Sequence, residues 1–291
     1  MNTTSPAVAT PTTPTTETVS PSVAPITFGE EREAWHAEHD AQRAAPHGFL
    51  SVTGLHFLTA DSQRFADAPG AWSATEAGPV VELADGEQLT LNDVPLAGRH
   101  EFGDIAERAG LLATAGDAVI EIARRGGHLV VRPRHPGAAF RAEYRGTPTY
   151  PPHPRWLAAA RFLAFDVPRE VTVGAAVEGL RHVYEAPGEL EFSVGGETFR
   201  LTAFNGQTPG SLLVLFTDAT SGVTTYAANR AISVDAPGDD GVTTIDFNRA
   251  VNLPCAYTDH ATCPLPPAEN RLPFGIEAGE KAPLARVRAE I

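Results

Sequence analysis

The sequence predicts a mainly β protein: an antiparallel barrel or sandwich with one N-terminal helix and a long Pro-rich C-terminal loop. Three observations support this prediction. Short apolar runs alternate with Gly-containing turn signals over most of the chain, which is typical of all-β folds. Residues 30–45 contain neither Gly nor Pro and favour a helix. Residues 255–273 are rich in proline and indicate an irregular loop.

The composition excludes several classes of protein. The chain has 291 residues and a formal net charge of −14, which disfavours nucleic-acid and anionic-membrane partners because phosphates need a basic surface. Lys281 is the only lysine and does not follow a Gly-rich loop, so a P-loop nucleotide hydrolase is excluded. The motifs of α/β-hydrolases, zincins, thioredoxins and Rossmann enzymes are also missing.

The N-terminal residues 1–26 form a Thr/Pro/Ser/Ala tract that we expect to be disordered. Such a segment buries too little apolar surface to offset its ordering entropy. It lacks the basic and apolar regions of a signal peptide. No apolar run approaches the roughly 20 residues of a membrane-spanning helix. We therefore expect a cytoplasmic protein in which residues 27–291 form the β-rich domain.

The predicted helix has a clear start and end. Thr27 and Glu30 have the spacing of a capping box, and Pro46 and Gly48 follow the stretch 30–45. Most of the other positions are polar, so we expect this helix to lie on the surface with Trp35 as its anchor.

Turn dipeptides predict hairpins along the rest of the chain, because two apolar runs joined by Asp-Gly or Gly-Gly typically pair as antiparallel strands. The turns are Asp85-Gly86, Gly126-Gly127 and Gly195-Gly196. Residues 212–216 are continuously apolar, which predicts a strand buried on both faces. Residues 145–155 contain four prolines and mark either a boundary between two β subdomains or a stiff crossing within one domain.

Polar side chains of the kinds used in binding sites crowd between residues 218 and 280. Strand alternation directs Ile245 and Phe247 towards the core, and Asp246 and Asn248 towards the opposite face. The prolines of the C-terminal loop fix φ angles in advance, so the loop can hold polar side chains rigidly. The candidate ligand-binding residues are Arg230, Asp246, Asn248, Arg249, Cys255, Tyr257, Cys263, Glu269, Asn270 and Arg271. The alternative is that these side chains only pair with backbone groups of an irregular loop.

Cys255 and Cys263 are the only cysteines, and their state stays open. With His260 they have the spacing Cys-x4-His-x2-Cys, but a structural zinc needs four ligands and no fourth lies nearby. They are near enough along the chain to form a disulfide if the loop folds back. Buried or free thiols are the favoured assignment, and we predict no metal site.

Five motifs in this region resemble those of one family: Leu-Phe-Thr-Asp-Ala-Thr-Ser-Gly at 215–222, Asp-Phe-Asn-Arg-Ala at 246–250, Cys-Pro-Leu-Pro-Pro at 263–267, Glu-Asn-Arg-Leu-Pro at 269–273 and Glu-Ala-Gly-Glu-Lys at 277–281. On these motifs the chain is similar to the Domain of unknown function (DUF) 1684 family, from about residue 30 to the C-terminus. Val251 and Leu253 depart from the family pattern. The family is uncharacterised, so the resemblance implies a domain and no activity, cofactor or catalytic residue.

Three hypotheses about function follow. The favoured one is a binder of a small polar or anionic ligand through the C-terminal Arg/Asp/Asn/Glu cluster, with Arg230, Arg249 and Arg271 on the anion. The first alternative is a hydrolase-type enzyme with Asp246 or Glu269 as general base, which requires the two carboxylates in one pocket. The second alternative is a structural or interaction module without a ligand. The sequence identifies no cofactor.

Overall fold

The computed structural model describes residues 26–288, and this part of the chain is mainly β with antiparallel sheets, as predicted. Its named strands form three sheets, and one of them curves into a half-barrel. The tail predicted to be disordered lies outside the described residues, apart from Ile26. No helix within residues 26–288 combines the length and the apolar character needed to cross a membrane.

The N-terminal helix α1 spans Phe28–Arg43 and begins with the predicted capping box. The Thr27 hydroxyl accepts from the Glu30 backbone N–H at 3.3 Å, and the Glu30 carboxylate accepts from the Thr27 backbone N–H at 2.8 Å. A cap of this kind contributes about 1 kcal/mol. The helix ends two residues earlier than predicted, since the residue before Pro46 is biased away from helical geometry.

Residues 56–134 form two sheets around one apolar core. The strands are β1 His56–Phe57, β2 Gln63–Phe65, β3 Ala68–Thr75, β4 Gly78–Glu82, β5 Leu89–Leu91, β6 Val94–Leu96, β7 Arg99–Glu101, β8 Gly110–Ala115, β9 Ala118–Arg125 and β10 His128–Arg134. One sheet has the order β1-β10-β9-β8-β5-β6 and the other β2-β3-β4-β7. Trp72 is fully buried between them, and its indole N–H donates to the Pro69 carbonyl at 2.8 Å.

Residues 157–246 form the third sheet. The strands are β11 Leu157–Gly174, β12 Arg181–Val194, β13 Glu197–Asn205, β14 Leu212–Phe216, β15 Arg230–Val234 and β16 Val242–Asp246. Their order is β15-β14-β13-β12-β11-β16. The apolar run 212–216 forms β14, and Val214, Leu215 and Phe216 are fully buried. The predicted burial of Ile245 and Phe247 in the core is confirmed, but β16 ends at Asp246, so the alternation does not extend to Asn248, which is also buried.

Two of the three predicted hairpins are confirmed and one is wrong. Strands β9 and β10 pair across Gly126-Gly127, and β12 and β13 pair across Gly195-Gly196. The turn at Asp85-Gly86 does not join a hairpin, since β4 pairs with β3 and β7, whereas β5 pairs with β6 and β8. The segment between β4 and β5 is long enough to carry the chain from one sheet to the other.

The remaining segments are irregular and position the site. A short helix α2, Ala139–Glu143, follows β10, and the chain then runs through residues 145–155 to the third sheet. Whether 145–155 is a subdomain boundary stays a prediction. After β16 come the 3-10 helices Phe247–Arg249 and Pro254–Ala256 and the predicted Pro-rich loop. The helix α1 lies against this C-terminal part, although the two N-terminal sheets separate them along the chain.

Candidate functional site

Arg230 holds the C-terminal loop together. It begins β15 and is 1 % exposed. One terminal nitrogen lies 2.6 Å from the Asp218 carboxylate, and the two donate to the carbonyls of Ile276, Ala278 and Glu280 at 3.0, 2.5 and 3.3 Å. Both terminal nitrogens therefore have internal partners, and the side chain fixes the loop.

A second predicted group lies at strand β13. The Asn270 side chain is fully buried, accepts from the Thr202 N–H at 2.7 Å and donates to the carbonyls of Thr202 and Leu215 at 2.9 and 2.8 Å. Glu269 is exposed and accepts from the Thr202 hydroxyl at 3.1 Å. Arg271 is exposed. This group anchors the loop to strands β13 and β14.

A third predicted group lies beneath α1. Asp246 accepts from Arg32 Nε at 2.7 Å and from the Asn248 amide and backbone N–H at 2.9 and 3.0 Å. The Asn248 amide also bonds the backbone N–H and carbonyl of His153 at 2.9 and 3.2 Å. The Arg249 guanidinium lies over an aromatic ring of α1. No hydrogen-bond or ion-pair partner of Asp246 is shared with Glu269, so the structure does not link these two carboxylates.

Cys255 and Cys263 are buried and free. The Cys255 backbone N–H donates to the Cys263 sulfur at 3.3 Å. The hydrogen bond with Cys255, together with burial, raises the pKa of the Cys263 thiol well above its ordinary value, so this group stays protonated. The two thiols pack with Ala261 and Leu253 in a small apolar cluster.

Tyr257 belongs to a buried polar network around Glu280, a residue outside the predicted set. Glu280 is fully buried, with Oε1 at 2.7 Å from Arg43 and Oε2 accepting from the Asn252 N–H at 2.6 Å and from the Tyr257 hydroxyl at 3.3 Å. Burial alone would raise the pKa of Glu280. Hydrogen bonds to the carboxylate and the charge of Arg43 outweigh burial and lower that pKa, so Glu280 is ionised.

Arg43 is the cation of this network. It lies in the last turn of α1 and is 2 % exposed. One terminal nitrogen lies within hydrogen-bond distance of four oxygens: those of Asp40 at 2.8 Å, the Thr147 hydroxyl at 2.5 Å, the Tyr144 hydroxyl at 3.1 Å and the Tyr257 hydroxyl. Burial and the bond to Asp40 raise the pKa of Tyr144 to about 12, so this hydroxyl remains a neutral donor.

His36 connects the network to solvent. Its Nε2 lies 3.0 Å from Oε1 of Glu280. Because an ionised carboxylate only accepts hydrogen bonds, we assign the proton to Nε2, which leaves the lone pair of the neutral ring on Nδ1. Within residues 26–288 Nδ1 has no hydrogen-bond partner, yet it is not a buried atom. The side chain is 18 % exposed, so Nδ1 is the accessible nitrogen of a carboxylate-held imidazole.

A cavity of about 240 Å³ lies over this network, which we call the α1 groove. Its lining residues come from α1, from the segment after α2 and from the 3-10 helix after β16. They are Arg32, Glu33, His36, Ala37, Asp40, Thr147, Thr149, Tyr150, Pro152 and Asn248. The groove therefore combines one predicted residue, Asn248, with polar side chains of α1.

His36, Asp40 and Glu280 are the only residues within 26–288 that bring three potential metal-ligand atoms of His, Cys, Asp or Glu within 4.8 Å of one another. The Arg43 guanidinium already bonds both carboxylates, at 2.8 and 2.7 Å. A metal ion would compete with this cation and with the His36–Glu280 hydrogen bond. We therefore assign the cluster to internal ion pairs.

Residues 142–281 match a family model described as "Protein of unknown function (DUF1684)". The chain belongs to the DUF1684 family. Among solved structures, the chain is similar to an uncharacterised protein of Haloarcula marismortui determined by NMR in solution, with 30% identity and a TM-score of 0.41. That alignment covers 48% of this chain and 78% of the other. The curated proteins contain no match.

Some residues of the buried network lie in the segment that matches DUF1684, and the others lie in α1. Thr147, Tyr257 and Glu280 lie within the matched residues 142–281. His36 and Arg43 precede the match by about 100 residues. The groove therefore forms between the DUF1684 segment and a helix outside it.

The sequence interpretation missed the polar residues of α1 that face this network. Arg32, His36, Asp40 and Arg43 are spaced by four, four and three residues, which places them on one side of a helix. Such a stripe is the signal that could have found them, because it indicates that the helix contacts the rest of the molecule through polar groups. The partner Glu280 lies 237 positions from Arg43, and local patterns do not reveal that pairing.

Proposed function

We propose that this protein binds a small polar ligand in the α1 groove. The observation that supports this most directly is the His36 imidazole, which is held by the buried Glu280, lines the groove and has no hydrogen-bond partner at Nδ1 within residues 26–288. Packing and hydrogen bonds fix this group before any ligand arrives, and such pre-organisation lowers the cost of binding. At about 240 Å³ the groove is smaller than the roughly 300–1,000 Å³ of pockets for drug-sized ligands, so the ligand is small.

The charges of the groove favour a ligand without net negative charge. Arg32 is paired with Asp246 at 2.7 Å, and Asp40 is paired with Arg43 at 2.8 Å. Glu33 is exposed on the lining and has no hydrogen-bond or ion-pair partner within residues 26–288. An anionic ligand would therefore meet an unpaired carboxylate and no free cation, so the polar form of the sequence hypothesis is favoured over the anionic form.

Few residues of the predicted cluster contribute to the groove, and most of these support its lining instead of forming it. Asn248 lines it, Asp246 fixes Arg32, and Tyr257 supports Arg43 and Glu280. The remaining predicted residues anchor the C-terminal loop, pack on α1 or form the cysteine cluster, and their assignment to a ligand stays a prediction.

A fragment screen with a blocked groove tests this proposal. Small neutral fragments, such as polyols, amides and esters, and small amines are added to the parent protein, and the melting temperature is measured. Ala37→Phe places a bulky ring on the lining without removing a hydrogen bond. Ala34→Phe adds the same ring at another exposed position of α1, outside the lining, and is the matched control.

We expect fragments that raise the melting temperature of the parent and of Ala34→Phe, and no such shift in Ala37→Phe. Equal shifts in all three proteins would place binding elsewhere and refute the proposal. A screen without any shift in the parent would also count against it.

A further inference from the structure

We infer that the α1 groove is catalytic, with His36 as a general base, Glu280 as its positioning residue and a small uncharged carboxylic ester as the class of substrate. This inference rests on the proposed ligand site. It goes further by assigning chemistry to the same imidazole. The Nε2–H bonds a buried carboxylate at 3.0 Å, the opposite nitrogen has no hydrogen-bond partner within residues 26–288, and the residue lines the groove. A carboxylate that fixes the tautomer of an imidazole is a recurring arrangement for general-base catalysis.

The pair is rigid because Glu280 cannot turn away from His36. Its Oε2 is held by the Asn252 N–H at 2.6 Å and by Tyr257, and its Oε1 is also bonded by Arg43 at 2.7 Å. The charge of Arg43 keeps the carboxylate ionised without reaching the groove. His36 is therefore held in one orientation and one tautomer, which is the condition for an efficient base.

The groove lining favours water as the nucleophile. It contains no cysteine, lysine or serine side chain. The Thr147 hydroxyl is bonded to Arg43 and Tyr257, and the Tyr150 hydroxyl is bonded to Thr224. An imidazole with a free lone pair can activate a water molecule directly. The paired charges of the lining suit an uncharged substrate, and an ester carbonyl is reactive enough for attack by an activated water.

The step is a hydrolysis. Nδ1 of His36 accepts a proton from water while the water oxygen bonds to the carbonyl carbon. The bond from that carbon to the alcohol oxygen then breaks, and the proton on Nδ1 passes to the leaving oxygen or to solvent. One ester and one water give one carboxylic acid and one alcohol, and His36 returns to its neutral form.

The full chain is tested with p-nitrophenyl acetate as the probe ester. Removal of a general base costs typically 10²–10⁴-fold, so we expect His36→Asn to lower kcat/KM about 100-fold. His128→Asn, a substitution at an exposed histidine of β10, is the matched control and should retain the parent value. A parent rate no higher than that of His36→Asn would overturn the inference.

Two further measurements separate catalysis from a structural role. Free imidazole should restore hydrolysis to His36→Gly in excess of the rate that imidazole gives with the ester alone, and no such excess would overturn the role of His36. Glu280→Gln removes the charge that orients the imidazole and should lower kcat while KM changes little. An unchanged kcat in the folded variant would overturn the role of Glu280. If fragments bind the groove but the parent does not hydrolyse the ester, this inference fails and the proposed ligand site stands.

Discussion

Arg43→Met removes the guanidinium that pairs with Asp40 and Glu280, and it should strongly destabilise the protein. Methionine keeps most of the length and apolar volume of the arginine stem but has no charge and no donor. The substitution leaves Glu280, which is fully buried, and Asp40, whose side chain is 16 % exposed, without their cation. It also removes one donor from Thr147 and from Tyr257.

The magnitude follows from burial. Breaking a buried ion pair by removing one partner costs about 3–5 kcal/mol, because the other charge stays buried and uncompensated. With both carboxylates affected we expect a loss of about 4 kcal/mol in the free energy of unfolding. At roughly 2–4 °C per kcal/mol for a chain of this size, the melting temperature should fall by roughly 8–16 °C.

Urea unfolding at pH 7 measures this loss. Arg64→Met is the matched control, because Arg64 pairs with Glu87 at 2.7 Å on the surface with 56 % of its side chain exposed. We expect this substitution to change stability little, because solvent screens an exposed ion pair. The double variant Arg43→Met/Glu280→Gln should lose less stability than the sum of the losses in the two single variants. A loss in Arg43→Met no larger than in Arg64→Met would refute this account of the network.

Arg43→Met should also weaken the pH dependence that Glu280 contributes. In the parent the folded-state pKa of Glu280 lies below its ordinary value of 4.5. Its stabilising contribution is therefore present at neutral pH and is lost as the pH falls through that lowered pKa. Without Arg43, a charge and a hydrogen bond that lower this pKa are lost, so the pKa rises relative to the parent and the ionised carboxylate contributes less stability at neutral pH. The stability difference between parent and variant should narrow between pH 7 and pH 4.

Three further predictions concern other parts of the fold. Asn270→Ala removes three buried hydrogen bonds and should cost about 3 kcal/mol in urea unfolding, whereas Glu269→Ala at the exposed neighbour should change stability by less than about 1 kcal/mol. Burial alone would raise the pKa of Glu121, but three bonded arginines lower it from 4.5 to about 2. The free energy of unfolding of the parent should therefore fall by about 3 kcal/mol between pH 4.5 and pH 2, and that of Glu121→Gln should not show this fall. Unfolding measured over this range of pH tests the difference. Cys255 and Cys263 are buried and should react with a thiol reagent only after unfolding in guanidinium, so rapid labelling of the native protein would contradict the structure.

Local patterns predicted much of the fold. The capping residues Thr27 and Glu30 located the start of α1, and Gly126-Gly127 located a hairpin, because both signals act between residues close in the chain. The hairpin prediction at Asp85-Gly86 was wrong for the same reason. The dipeptide encodes a turn, but which strands pair on either side is decided by contacts between the two sheets.

The candidate site was less predictable because its members are far apart in sequence. Arg230 bonds the backbone of the C-terminal loop, Asn270 bonds the backbone of β13 and β14, and Cys263 helps to fill the interior of the loop. The assignment of these residues to a ligand stays a prediction. The groove instead depends on α1. The polar stripe indicates which side of this helix contacts the rest of the molecule, but it does not indicate which residues that side contacts. Only the folded chain shows that Glu280 completes it.

The pairing of Arg43 with Glu280 also sets an order of events during synthesis. Glu280 lies 237 positions after Arg43, so α1 cannot dock through this ion pair until the ribosome has made that long intervening segment. Isolated helices of about 16 residues are marginally stable in water, so α1 is only partly helical until it docks. Contacts so distant in sequence also slow folding, because a large loop must close before they form. Closure of the groove is therefore a late step in the maturation of this protein.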